Sequence, residues 1–182
     1  RILTSATSDV GIPKFVGLQR PVFINYLREG TSQLTIKTIL TSEKDKLQSL
    51  KKALAFIGHQ PGIVFCNFKE ALERVSVFLT ENIIHHERFH GGMEQVDRER
   101  ALVKFRNGTC QLLLATDLAS RGLDIPEIRF ILHYHLPPSE KEFTHRNGRT
   151  ARMNRDGIAY ILHYKEEKLP EYISEIVSAS LP

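Results

Sequence analysis

Short, wholly apolar segments alternate along this chain with longer segments whose apolar residues recur at helical spacing. Such short apolar segments are typical of strands that are buried on both faces of a sheet. Buried strands joined by helices predict an α/β fold with a central, mostly parallel sheet and helices on both faces. The predicted strands cover residues 33–40, 63–66, 85–90, 111–115, 128–134 and 157–164. The predicted helices cover about 42–57, 67–79, 94–106 and 166–177, and a further helix begins at Ser139 and leads into the arginine-rich segment described below.

Three of the predicted helices begin with a capping pattern, in which a Ser or Asn is followed three residues later by an acidic residue. The patterns are Ser42-x-x-Asp45, Asn67-x-x-Glu70 and Ser139-x-x-Glu142.

Polar residues and glycines follow three successive predicted strands. Asn67 follows the second strand, Gly91-Gly92 the third and Thr116-Asp117 the fourth. Ligands of open parallel sheets bind beyond the carboxyl ends of the strands. We therefore expect the functional site at this edge of the sheet.

The composition is that of an ordinary globular protein with a small basic excess. Across 182 residues, 25 Lys and Arg stand against 21 Asp and Glu, which gives a net charge of +4 and permits a polyanionic partner. The chain contains no apolar run of about 18 residues, and its first residues do not resemble a signal peptide. Because Cys66 and Cys110 lie inside apolar runs, we expect both thiols to be reduced, in a cytoplasmic protein without a membrane segment.

An arginine-rich segment surrounds Gly148, with the sequence His145-Arg146-Asn147-Gly148-Arg149-Thr150-Ala151-Arg152. In a helix, His145, Arg149 and Arg152 would share one face. The planar guanidinium group stays charged and matches phosphate oxygens well, so these side chains indicate an anionic ligand. The alternative is a solvated basic turn.

A second polar segment, residues 115–124, leaves a predicted buried strand and carries a hydroxyl, two carboxylates, an arginine and a glycine. A hydroxyl and backbone N–H groups suit a phosphate, and a carboxylate such as Asp124 suits a ribose hydroxyl. The structural alternative is that Asp117 caps the next turn and that Arg121 pairs with Asp124.

Taken together, these segments resemble the DEAD-box RNA helicases. Residues 115–124 are similar to motif V of that family and residues 145–152 to motif VI. Residues 63–67 resemble motif IV, Gln95-Val96-Asp97-Arg98 the Q-x-x-R element, and Ser5-Ala6-Thr7 motif III. The chain contains neither the Walker A pattern nor Asp-Glu-Ala-Asp. The resemblance therefore implies a tail and linker of the preceding helicase domain at residues 1–30 and a C-terminal RecA-like domain at residues 31–182.

The resemblance also implies roles for single residues. Arg149 and Arg152 match the arginines that reach the γ-phosphate of ATP, and His145 matches the residue that couples motif VI to the other domain. Gly122 and Asp124 match nucleotide contacts, Asp124 with the ribose. The matches to RNA-backbone contacts are Gly91, Arg98 and Thr116. Three positions depart from the family pattern: Ala151 stands for a glycine, and Gly92 and His135 each stand for an aspartate.

The implied partners are RNA and the N-terminal RecA-like domain of the same protein, and no oligomer is expected. The implied cofactors are ATP and Mg²⁺, with Mg²⁺ held by the N-terminal domain. We expect cleft closure to bring Arg149 and Arg152 onto the γ-phosphate while Arg98 and Thr116 hold the RNA backbone. The isolated chain is expected to have negligible ATPase activity.

Other functions remain open at this stage. His86-Glu87-Arg88-Phe89-His90 matches the zinc-protease pattern H-E-x-x-H, which requires a helix, whereas residues four apart in a strand lie about 13 Å from each other. A dinucleotide enzyme would need a G-x-G-x-x-G after its first strand, and this chain has none. A DNA-directed superfamily 2 helicase domain, or an RNA-binding or protein-docking module without catalysis, would also fit the sequence.

Overall fold

A computed structural model of the protein describes residues 34–41, 46–117, 128–150, 156–167, 169–173 and 177–179. These residues all belong to the second of two units into which the chain divides, Ser32–Pro182. Residues 1–33, which include the predicted motif III, lie outside the described residues. The domain boundary at residue 30 therefore stays a prediction.

The described residues form one seven-stranded sheet in which every paired strand runs parallel to its neighbour. The order across the sheet is β3-β4-β2-β5-β6-β1-β7. The strands are β1 (Leu34–Thr41), β2 (Gly62–Phe65), β3 (Glu87–Phe89), β4 (Leu112–Ala115), β5 (Phe130–His133), β6 (Gly157–Tyr164) and β7 (Val177–Ala179). The prediction of an α/β fold with a mostly parallel sheet is confirmed.

Helices cover both faces of this sheet. Those that lie within the described residues are α1 (Leu47–Ile57), α2 (Lys69–Glu81), α3 (Gln95–Arg106) and α4 (Glu140–Asn147). Because successive side chains of a strand point to opposite faces, Val64 packs in the core under α1 and α2, whereas Ile63 and Phe65 pack in the core under α3. Fully burying an aliphatic side chain stabilises the fold by about 1.5–3 kcal/mol, so these two cores hold the layers together.

The register of the central strands aligns their carboxyl ends. Phe65, the last residue of β2, pairs with Ala115 at the end of β4 and with His133 at the end of β5. Phe89, the last residue of β3, also pairs with Ala115. The segments that follow these four strands consequently meet at one edge of the sheet.

The predicted closing helix at residues 166–177 is wrong. Its described residues form turns, and Val177 begins β7 instead. Pro170 explains the difference, because proline has no N–H group and its ring clashes with the preceding helical turn. The carbonyl of Pro170 accepts a bond from the N–H of Ile173 (3.0 Å), which closes a short turn.

Of the three predicted caps, only that of α4 is confirmed, since the Ser139 hydroxyl accepts from the N–H of Glu142 (3.3 Å). Helix α2 has Phe68 rather than Asn67 as its N-cap residue. Helix α1 begins after Lys46, and Ser42 and Asp45 lie outside the described residues. No helix in the described part of the chain is long and apolar enough to cross a membrane.

Candidate functional site

Arg146, in the last turn of α4, is the most heavily bonded side chain at this edge of the sheet. It is only 1% exposed, and its guanidinium group donates to both carboxylate oxygens of Asp117, from Nε at 2.6 Å and from a terminal nitrogen. It also donates to Oδ1 of Asn67 (2.7 Å) and to the carbonyl of His135 (3.1 Å). These acceptors follow β2, β4 and β5, so one arginine binds the ends of three strands together.

His133 lies beside this guanidinium group, with its Nδ1 3.5 Å from an Arg146 nitrogen. Because an arginine nitrogen only donates, this Nδ1 carries no proton, and the Nε2–H group donates to Oδ1 of Asn147 (3.0 Å). Burial, followed by the charge of Arg146, lowers the pKa of His133 to about 3. The imidazole is therefore neutral at physiological pH. We refer to Arg146, Asn67, Asp117, His133 and His135 as the Arg146 cluster.

His135, one of the departures from the family pattern, serves the cluster through its ring as well as its carbonyl. Its Nδ1 accepts from the backbone N–H of Asn67 (3.3 Å). Burial, with smaller contributions from the charges of Lys46 and Arg146, lowers the pKa of His135 to about 4. This neutral ring adds a direct bond between the segments that follow β2 and β5.

A pocket of about 450 Å³ opens beside the Arg146 cluster. Its lining includes Phe68, Gly91, Gly92 and Thr116, so it joins the segments that follow β2, β3 and β4. His90, which is 3% exposed, holds the glycine segment, because its Nδ1 accepts from the N–H of Gly92 (3.2 Å). The expectation that Gly91 and Thr116 lie at one edge is confirmed.

The arginine segment is helical only in part. Helix α4 ends at Asn147, and Arg149 lies in the turn that follows, where its N–H donates to the carbonyl of Arg146 (3.1 Å). His145 is exposed on the last turn of α4, whereas Arg149 is half-buried beyond the helix. The predicted helical face shared by His145 and Arg149 is therefore not formed. Arg152, Gly122 and Asp124 lie outside the described residues.

Arg98 is placed on the second turn of α3 and is not part of the pocket lining. One of its terminal nitrogens donates to Oε1 of Gln95 (2.6 Å). Its Nε is buried and has no partner among the residues that the structure describes.

The zinc-protease interpretation of residues 86–90 is wrong. Residues 87–89 form β3, so the helix that the pattern requires is not there. His86 is bonded to Ser76 (2.8 Å), and His90 to Glu73 (3.0 Å). Within the described ranges, no three His, Cys, Asp or Glu side chains are grouped as metal ligands would be.

Sequence reasoning missed Arg146 as the centre of the site. The available signal was its spacing, since Phe143, Arg146 and Asn147 occupy the positions i, i+3 and i+4 of a buried helix face. A charged residue at such a position is rarely buried unless it is paired. The carboxylate of Asp117 pairs with Arg146, a contact that the sequence did not predict, whereas Arg121 and Asp124 lie outside the described residues.

Comparison with known families gives a match over more than half of the chain. The family model of the helicase conserved C-terminal domain matches residues 45–154. DEAD-box ATP-dependent RNA helicase 21 of Oryza sativa subsp. japonica is 38% identical over 144 residues, which are 78% of this chain and 20% of that protein. The chain spans between a fifth and about a quarter of the length of the first curated relatives it matches.

Solved structures agree with this match. The Escherichia coli DEAD-box protein SrmB, bound to the regulator of ribonuclease activity A, is 27% identical and superposes with a TM-score of 0.72 over 82% of this chain and 91% of that chain. Dbp5 of Saccharomyces cerevisiae, bound to RNA and ADP BeF3, has the same fold, with a TM-score of 0.70 at 23% identity over 81% of this chain and 41% of that chain.

Proposed function

Since this chain belongs to the helicase conserved C-terminal domain family, we propose that it is the second RecA-like domain of an ATP-dependent DEAD-box RNA helicase. In the complete protein it supplies the arginine fingers and part of the RNA-binding surface. The matched relatives are named as ATP-dependent RNA helicases, and one matched structure holds RNA and a nucleotide.

The observation that carries this proposal is the buried pair between Arg146 and Asp117. Asp117 follows Thr116, the proposed RNA contact, and Arg149, the first proposed finger, comes three residues after Arg146. A bidentate guanidinium–carboxylate pair fixes both distance and orientation. The pair therefore holds the segment of motif V against the segment of motif VI at one edge of the sheet.

The residues available at this edge fit ATP by their chemistry. Arg149 is half-buried in the turn after α4, and a guanidinium group forms paired bonds with phosphate oxygens. We assign Arg149 and Arg152 to the γ-phosphate, His145 to the contact with the N-terminal domain, and Gly122 and Asp124 to the nucleoside. ATP, when bound, supplies the phosphoryl group that is transferred to water. Mg²⁺ belongs to the N-terminal domain.

The test of the finger assignment is RNA-stimulated ATP hydrolysis by the complete protein and by this chain alone. We expect activity from the complete protein only, and Arg149→Ala to lower its turnover by roughly 10³–10⁵-fold while RNA affinity changes little. The matched control is Arg100→Ala, which removes the same charge from an exposed side chain whose one ion pair among the described residues is with Asp97, at 3.5 Å. Equal loss of turnover in both variants would refute the assignment.

The test of the RNA assignment is the salt dependence of RNA affinity. Each phosphate contact on a single strand contributes about 0.7 to the slope of log affinity against log salt. Arg98→Ala should reduce that slope by about one contact, and Arg100→Ala, two residues along the same helix, should leave it unchanged.

The alternatives give different results in the same assays. RNA binding by the complete protein without ATP hydrolysis would favour a binding or docking module. Equal stimulation by DNA and RNA would favour a DNA-directed helicase.

A further inference from the structure

Phe68 stands at a position where local structure favours a different residue. It is the N-cap residue of α2, with extended backbone angles (φ −126°, ψ 147°) and no capping bond from its side chain. Ser, Thr, Asp and Asn are preferred there, because their oxygen accepts from a free N–H group of the first turn. The ring of Phe68 is instead 65% exposed. A residue that the local structure disfavours, and that does not stabilise the fold in return, is expected at a functional site.

The surroundings of the ring give it a defined place. Phe68 and Pro138 are the apolar side chains that line the 450 Å³ pocket, together with Gly91 and Gly92. The rings of Phe68 and His135 meet edge to face, with their centroids 6.3 Å apart and their planes at 64°. The pocket has a volume within the range of roughly 300–1,000 Å³ that is usual for small-molecule sites. Phe68 therefore offers an aromatic face at the rim of a pocket of ligand size.

A positive charge lies in the same pocket. A Cβ atom built on Gly92 would be 3.1 Å from Nζ of Lys69, so the ammonium group lies directly over this glycine. In the part of the chain that the structure describes, Lys69 forms no ion pair. Two carboxylates also line the pocket, but Asp117 is paired with Arg146, and Glu142 accepts from the hydroxyl of Ser139 (3.0 Å). Lys69 is thus available to an anionic ligand.

We propose that this pocket binds one unstacked base of single-stranded RNA against the ring of Phe68, with Lys69 on the adjacent phosphate. The inference rests on the proposed function, since it extends the RNA surface of Gly91 and Thr116. Single-stranded nucleic acids bind where a basic group follows the backbone and an aromatic ring stacks on a base. The pocket combines both groups, and it adds a contact with the base to a surface that otherwise holds the backbone.

The experiment measures the affinity of the complete protein for a single-stranded RNA of about ten nucleotides, by fluorescence anisotropy with a non-hydrolysable ATP analogue. Loss of one base–aromatic stack predicts that Phe68→Thr raises Kd roughly 5- to 150-fold. Threonine also restores a capping oxygen to α2, so the thermal unfolding midpoint should not fall. Phe68→Tyr keeps the ring and should bind within about twofold of the wild type.

An abasic version of the same RNA separates a stack from other roles of the ring. The loss caused by Phe68→Thr should vanish on abasic RNA, because no base remains to stack. The proposal would be overturned if Phe68→Thr lowered the affinity equally for both RNAs, or if it left the Kd for the intact RNA unchanged. An unchanged Kd would indicate that the exposed ring contacts a protein partner instead. A wild-type protein that binds no RNA would instead overturn the proposed function itself.

The phosphate contact has its own test. Lys69→Gln should reduce the salt slope of RNA affinity by about 0.7, and Lys52→Gln, an exposed lysine on α1 outside the pocket lining, should not. Gly92→Asp should have a similar effect, since its carboxylate would lie beside the ammonium group of Lys69. A salt slope that Lys69→Gln leaves unchanged would overturn the phosphate contact.

Discussion

Replacing Arg146 by leucine tests whether this side chain holds the strand ends together. The substitution keeps an apolar stem and removes the guanidinium group. The carboxylate of Asp117, whose side chain is only 19% exposed, then loses its contacts with the guanidinium group, and Asn67 and the carbonyl of His135 each lose a donor. Removal of one member of a buried ion pair costs about 3–5 kcal/mol. Since a domain is stable by about 5–15 kcal/mol, we expect a large shift of the urea midpoint.

A double-mutant cycle with Asp117→Asn separates the interaction energy between Arg146 and Asp117 from the cost of burying the two charges. Either single substitution removes one charge of the pair and leaves the other in place, whereas the double substitution removes both. The double variant should therefore be more stable than the sum of the single effects predicts, by at least about 1.5 kcal/mol. Arg146→Lys should recover little, because a single ammonium group does not reproduce the fork that binds three acceptors.

A second readout comes from His133. The charge of Arg146 is one of the causes that lower the pKa of His133, so Arg146→Leu should raise that pKa in an NMR titration of the imidazole. Two results would refute the reasoning: a loss of less than about 1 kcal/mol, or single effects that add without coupling. Either result would mean that the contacts of Arg146 do not hold the carboxyl ends of the strands together.

Three further predictions concern the interior. The pKa of His133 is about 3 in the folded chain and 6.5 in the unfolded chain, so the unfolded chain binds one more proton between these pH values. The contribution of His133 to stability is therefore complete above pH 6.5 and falls as the pH drops towards 3. In unfolding curves measured at several pH values, His133→Gln should reduce this fall by up to about 1.4 kcal/mol per pH unit. Burial raises the pKa of Cys66 to about 12, so a thiol reagent should label it only at the rate of unfolding; labelling within seconds under native conditions would contradict this. In Gly62→Ala, the new Cβ would clash with the buried ring of Phe130, and we expect the free energy of unfolding to fall by about 1–3 kcal/mol in chemical denaturation; no loss would show that the ring moves freely.

The strands were the most predictable part of the fold. Each described strand from β1 to β6 overlaps a predicted one. The wholly apolar segments of β2 and β4 have few ways to bury themselves other than as central strands, and β1 is marked by alternating apolar residues. The C-terminal segment failed because its apolar spacing is compatible with a helix and only Pro170 argues against it. The order of the strands depends on long-range packing, which local periodicity does not contain.

The site was predictable in position but not in detail. The rule that parallel strands present their carboxyl ends at one edge brought Gly91 and Thr116 to the same pocket, as expected. Arg146 was not predicted, because its acceptors follow three different strands and are far apart in sequence. Its burial is visible only once Asn67, Asp117 and His135 have been brought together by the sheet.

The error at the start of α2 has a tertiary cause that bears on the proposed base pocket. Local propensity assigns Asn67 to the helix cap, a role worth about 0.5–2 kcal/mol. In the structure the side-chain oxygen of Asn67 instead accepts a hydrogen bond from Arg146. A hydrogen bond to a charged group is worth about 1.5–3 kcal/mol, and losing this one would leave a buried donor of Arg146 without its acceptor, which is costly. The bond with Arg146 is therefore the more stabilising of the two, and the N-cap residue is Phe68, whose side chain has no oxygen to accept a capping bond. The burial of Arg146 therefore explains why the N-cap of α2 falls at residue 68, whereas the proposed base pocket explains why that residue is an exposed phenylalanine. Phe68→Thr should supply the missing capping oxygen without disturbing the bond between Asn67 and Arg146.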